Sequence, residues 1–111
     1  MFKFKLMLIL VVMCFSSISS AAWQTYTTVE FIVIEGEADG SRAYVAFAEN
    51  FTPSGCSSAS GYKRIYPNTK KGELILSNMM MAKASGMQVL PSIGGCDDWG
   101  RDILNGVILK R

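Results

Sequence analysis

The chain contains no histidine. Histidine is the side chain whose ordinary pKa puts a proton donor and acceptor near pH 7, so triad-type catalysis and histidine-ligated metal centres are excluded. Cysteine is nearly as scarce, with three residues, of which Cys14 lies in an N-terminal apolar run and only Cys56 and Cys96 lie beyond it. With no histidine and no third cysteine near them, these two match neither a zinc-ligand spacing nor a C-x-x-C redox motif. No apolar run is long enough to cross a bilayer as a helix, since Leu6 to Phe15 is about ten residues where about twenty are needed. An excess of one charge is also missing once the N-terminal segment is set aside. Removing Lys3 and Lys5 from the eleven Lys and Arg leaves nine, against nine Asp and Glu. A neutral domain lacks the basic footprint that phosphate neutralisation demands, which excludes nucleic acid as the expected partner.

What is present begins with an export signal. Lys3 and Lys5 precede the Leu6 to Phe15 run, a polar stretch with Ser16, Ser17, Ser19 and Ser20 follows, and Ser20 and Ala22 are the small residues that signal peptidase requires. The expectation is a signal peptide over residues 1–22 and a single small disulfide-closed domain over 23–111, secreted or periplasmic. In an oxidising compartment Cys56 and Cys96 are expected to pair. A bond closing about forty residues contributes about 4 kcal/mol by chain entropy, a large share of the roughly 5–10 kcal/mol that stabilises so small a domain.

Residues 25–35, TYTTVEFIVIE, are dense in β-branched and aromatic side chains and predict a long strand, with Val29, Phe31 and Val33 on one face and Ile32 and Ile34 on the other. Asp39–Gly40 suits a tight hairpin turn into a second strand over residues 42–49. Pro53, Gly55, Gly61 and four serines mark residues 50–61 as a loop. Within it Asn50, Phe51 and Thr52 match a glycosylation acceptor that Pro53 disfavours. A third strand at 62–66 precedes a helix from Lys70 to Ser85, capped at its start by Asn68 or Thr69 and ended by Gly86. A fourth strand at 87–91 and a fifth at 103–110 complete the chain, and Gly106 marks a bulge or a close backbone approach. The fold class expected is β-rich α+β, a five-stranded OB-like barrel or a curved antiparallel sheet, with one helix between strands 3 and 4.

The helix carries Leu74, Ile75, Leu76, Met79, Met80, Met81, Ala82 and Ala84 nearly all the way round. Either a core covers it on several sides, or Met80, Met81 and Ala84 form an oligomer interface away from the Ile75, Met79 and Ala82 stripe. An exported domain of this size, with one disulfide and an apolar helix running into KASGMQVLPSIGGCDDW, resembles the B subunits of five-subunit bacterial toxins, the subtilase-cytotoxin type above all. The resemblance implies a ring of subunits and an outer surface that binds glycans, and it carries over no individual binding residue.

Carboxylates are the remaining route to catalysis, with Asp97 beside Asp98 and Glu35 near Glu37 as the available pairs, and adjacent acids in a turn are ordinarily solvated surface. Glu35, Glu37 and Asp39 have the oxygen spacing of a calcium loop, but Ala46 stands where the bidentate Glu belongs, so no metal site is assigned. No cofactor is expected. Aromatics are the better working groups: of Trp23, Tyr26, Tyr44, Tyr62, Tyr66 and Trp99, the candidates for ligand contact are Trp99, Tyr62 and Tyr66. Non-enzymatic binding of a glycan or another exported protein is the leading expectation, with self-association as a homo-oligomer. A monomeric structural or inhibitory protein is the alternative, and a small carboxylate-dependent hydrolase ranks last.

Overall fold

The computed structural model describes residues 22–36, 42–58 and 61–110. Residues 1–21 of the signal peptide expected over 1–22 and the Asp39–Gly40 turn therefore lie outside the described residues, as do Glu37 and Asp39 of the calcium-like spacing. The elements are β1 (Ala22–Trp23), β2 (Thr27–Glu35), β3 (Arg42–Phe47), β4 (Tyr62–Ile65), α1 (Lys70–Ser85), β5 (Gln88–Cys96) and β6 (Asp102–Lys110). The class is β-rich α+β, with the helix between the third and fourth of the long strands.

Pairing runs β1-β5-β2-β3-β4-β6, and β6 returns to β5. The five longer strands thus pair in a ring, compatible with the OB-like curved sheet expected. Two details differ. A sixth, two-residue strand, β1, adds to β5 through Ala22 and Trp23. The ring closes through a parallel contact, Arg64 opposite Ile103, so the sheet is not wholly antiparallel.

Curvature comes from residues inserted in the ladders. Val29 pairs with Phe47 and Phe31 with Ala46, which leaves Glu30 as an extra residue. The bulge reverses the phase of β2: Ile32 and Ile34 lie opposite Val45 and Ala43, whereas Phe31 and Val33 lie opposite Ala46 and Tyr44. The unbroken alternation expected of Val29, Phe31 and Val33 is corrected accordingly. A second slip leaves Asn105 unpaired between Leu104 and Gly106, and its amide donates to the carbonyl of Gly94 at 2.7 Å. β5 runs past Pro91 to Cys96, because β6 pairs with it from Gln88 to Ile93 and again at Cys96, with an irregularity over Gly94 and Gly95 between.

The helix has the expected bounds. Thr69 accepts the Gly72 N–H at 3.0 Å through its hydroxyl, and Gly86 ends the helix at φ 67° with its N–H on the carbonyl of Ala82. Only one face is buried, made of Gly72, Ile75, Met79 and Ala82. Gly72 is there by necessity, since a Cβ would stand 1.7 Å from the carbonyl oxygen of Tyr66. Ile75, Met79 and Ala82 join Val29, Ala43, Val45, Phe47, Ile65, Val89, Ile93 and Leu104 in one core. Met80 and Met81 are about half exposed (45% and 49%), and Ala84 is exposed beside them.

At one end of this core lies a buried ion pair, Lys63 on β4 and Asp102 on β6, with the ammonium 3.7 Å from the carboxylate and both side chains essentially fully buried. Lys63 also donates to the Asn50 side chain at 3.2 Å. Its alternation with Ile65 puts it on the core side of β4, opposite Val45. The disulfide Cys56–Cys96 forms, tying the loop after β3 to the end of β5.

Candidate ligand-binding site

The phase of β3 and β4 decides which side chains meet on the outer face. Arg42, Tyr44 and Ala46 alternate with the core residues Ala43, Val45 and Phe47, and Tyr62 and Arg64 alternate with Lys63 and Ile65. Register then sets Val33 beside Tyr44, Glu35 beside Arg42, Tyr44 beside Arg64 and Ala46 beside Tyr62. The result is a row of rings and guanidinium groups, and the turn between β5 and β6 folds over one end of it.

That turn is built around Asp97. One oxygen of its carboxylate accepts the N–H groups of Trp99 and Arg101 at 2.9 and 2.8 Å, and its own N–H donates to the carbonyl of Arg101 at 2.8 Å. The other oxygen accepts from Arg64 at 3.3 Å. Asp98 takes a two-pronged contact from Arg42 at 2.7 and 3.2 Å and a further bond from Arg64 at 3.1 Å. The Arg42 guanidinium beside it, the principal cause, holds the Asp98 carboxyl below the usual carboxylate range, and the same bond raises Arg42 above its own.

Trp99 projects from the turn half-exposed, with the Arg42 guanidinium 3.5 Å from its ring centroid. Tyr44 is the hub. Its ring is nearly parallel to Trp99 and edge-on to Tyr62, each 6.4 Å away between centroids, and its hydroxyl accepts from Arg42 at 2.9 Å. The Arg101 guanidinium lies 4.4 Å from the Tyr44 ring. Tyr44, Tyr62, Arg101, Val33 and Glu35 line a cleft of about 190 Å³.

Of the three aromatics expected to contact a ligand, the structure brings two together. Tyr62 walls the cleft, and Trp99 stands next to it across Tyr44. Tyr66 does not join them: its ring lies under Arg64 at 4.4 Å and lines a separate depression with Ile103 and Leu104. Tyr44, counted with the exposed aromatics on sequence grounds, is buried. Arg42, Arg64, Arg101 and Glu35 were not foreseen as neighbours of these rings. The signal that points to them is the two-residue spacing of Arg42 with Tyr44 and of Tyr62 with Arg64, which puts each pair on one strand face.

The charges of the cluster are unequal in their engagement. Arg42 and Arg64 are bound by Asp97 and Asp98, whereas Arg101 has aromatic contacts and, among the described residues, no carboxylate partner. Glu35 likewise has no ion pair among them. Among the described residues no group of three or more His, Cys, Asp and Glu could hold a metal ion. No family model, no curated protein and no solved structure matches the chain.

Proposed function

We propose that this chain is an exported, non-enzymatic binding domain that takes a glycan in the cleft between Tyr44, Tyr62 and Arg101, with Trp99 at its rim. The observation that carries the reading is the Arg101 guanidinium, without a carboxylate partner among the described residues, beside two tyrosine rings and the Glu35 carboxylate. Sugars present apolar C–H faces that stack on rings and hydroxyls that bond to carboxylate and guanidinium groups, so a ring pair flanked by one donor and one acceptor group answers both needs. A volume of about 190 Å³ suits one sugar ring, well under the roughly 300–1,000 Å³ of sites that engulf larger ligands. Asp97 and Asp98 serve in this reading as struts that hold Trp99 and Arg101 in place. Export is supported by the disulfide, which persists in oxidising compartments.

A protein ligand is the second reading, favoured by the concentration of Trp, Tyr and Arg on one face, the residue types that dominate protein interfaces. A glycan array probed with the wild type, Trp99→Ala and Arg101→Ala separates the two. Binding lost in both variants supports the cleft, and an array without signal, or a signal indifferent to both, overturns it. Self-association belongs to the same proposal, supported by the half-exposed Met80 and Met81 on the outward helix face beside Ala84. Strict monomers across the concentration range would leave the alternative, a monomeric structural or inhibitory protein.

A further inference from the structure

The Cys56–Cys96 bond stands directly behind the turn that carries Trp99 and Arg101. Cys96 immediately precedes Asp97, the residue on which that turn is built, and Cys56 lies in the loop after β3. Residues 52–58 of this loop form neither helix nor strand, Thr52, Pro53, Ser54, Gly55 and Ser57 are exposed, and none of the segment belongs to the core. Its hydrogen bonds to the end of β5 and the turn are those from the Gly95 N–H to the Ser54 hydroxyl at 2.8 Å and from the Ser58 N–H to the Gly100 carbonyl at 2.9 Å. Fixing the backbone of one residue costs about as much free energy as one hydrogen bond returns, so these contacts hold residues 52–58 in place only while a covalent tie shortens the loop.

The turn itself is held from two sides. Arg42 and Arg64 hold the Asp97–Asp98 half through its carboxylates. The Gly100 half lies between Trp99 and Arg101, has a left-handed backbone at φ 72°, and is backed by Ser58 and by Ser57, which leaves no room for a Cβ at Gly100. The loop that the disulfide ties down is therefore the support of the half that spaces the Trp99 ring from the Arg101 guanidinium.

We infer that the Cys56–Cys96 bond is a redox latch on this turn: a dithiol opens it, residues 52–58 leave Gly100, and Trp99 and Arg101 lose their fixed spacing while the β core stays folded. Cys96 is exposed and Cys56 half-buried, so the sulfur open to attack is that of Cys96. A thiolate of the dithiol attacks the Cys96 sulfur and Cys56 leaves as a thiolate; the second thiol then attacks the mixed disulfide and frees Cys96. The protein disulfide is reduced, the dithiol is oxidised to its own disulfide, and its two protons end on Cys56 and Cys96. The release of the turn involves no ligand, and only its consequence for binding rests on the proposed cleft.

The test is hydrogen exchange on the wild type, oxidised and held in dithiothreitol, with circular dichroism reporting the fold and Cys56→Ser with Cys96→Ser as a second open state. Exchange at the Ser58, Gly95 and Gly100 amides is expected to rise by about tenfold or more on reduction, and to stay unchanged along Ala43–Phe47 and Val89–Ile93. In a Trp23→Phe background, acrylamide should quench Trp99 more strongly in the reduced chain. Loss of the β signal on reduction overturns the inference, because the bond is then a staple of the whole domain, and so does unchanged exchange at Ser58 and Gly95. A glycan-array signal that depends on Trp99 and Arg101 should fall about tenfold in dithiothreitol, and one indifferent to it overturns the link to binding. An array without signal removes the cleft alone, since the exchange measurement decides the latch in either case.

Discussion

Replacing Lys63 by methionine should be among the most damaging single changes available to this domain. Asp102 is 1% exposed and, among the described residues, neither of its carboxylate oxygens has a hydrogen-bond partner. The ammonium of Lys63 at 3.7 Å is its counter-charge. Methionine matches the length of the lysine stem and its burial, so Lys63→Met removes the charge with little change of volume and leaves the buried Asp102 carboxyl without its counter-charge. Removing one partner of a buried pair costs about 3–5 kcal/mol, against a total stability of about 5–10 kcal/mol for a domain of this size. With a urea slope of about 1–1.5 kcal/mol/M, the unfolding midpoint falls by about 2–5 M. Lys63→Met with Asp102→Leu removes both charges, and the double variant should return to within about 1 kcal/mol of the wild type or exceed it. A pH series adds an independent readout. Burial lowers the pKa of Lys63 from its ordinary 10.5, so the folded chain sheds this proton before the unfolded chain does. Between the folded value and 10.5 the unfolded state binds more protons, and this group makes stability rise with pH there. The rise should be missing from the double variant when it is compared with the wild type. Urea titrations followed by tryptophan fluorescence measure all three proteins. A cost below about 1 kcal/mol for Lys63→Met, or a double variant no better than the single, would refute the reasoning.

The face built from Arg42, Tyr44 and Trp99 should come apart in acid: Asp98 is held below its ordinary value of 3.8, chiefly by Arg42, so its contribution is complete above that value and is lost as pH falls through the lower folded one. Trp99 fluorescence should therefore shift only below about pH 4, and a transition near neutrality would count against the Arg42–Asp98 clasp. Gly72→Ala should cost about 3 kcal/mol or more, because the new Cβ meets the Tyr66 carbonyl at 1.7 Å, whereas Gly86→Ala should cost about 1 kcal/mol for its left-handed backbone alone. Equal costs in thermal unfolding would show that the Tyr66 segment yields freely. Met80→Lys with Met81→Lys should leave the far-ultraviolet dichroism intact and change stability by about 0.5 kcal/mol or less, since both side chains are half exposed. A chain unfolded by the pair would make that face part of the core.

Local chemistry determined much of this molecule before any contact was drawn. The helix ends are legible because Thr69 and Gly86 satisfy terminal backbone groups through atoms within a few residues, and the disulfide because no other pairing exists beyond the apolar N-terminal run. The strands are legible from β-branched and aromatic density, which acts at short range. Tertiary structure decided the rest. The bulge at Glu30 turned Phe31 outward, although the alternation of β2 had placed it with Val29, because an extra residue in a ladder is specified by the curvature of the whole sheet. Lys63 reads as a surface residue in its own sequence, and only the return of β6 past β4 supplies the Asp102 that lets its charge lie in the core. Trp99 was recognisable as an exposed aromatic in a turn, but Arg42 and Tyr44 reach it from β3, and Arg64 reaches the neighbouring Asp98 from β4. Which faces of those segments coincide is set by strand register, and register depends on pairing between distant residues that no local pattern encodes.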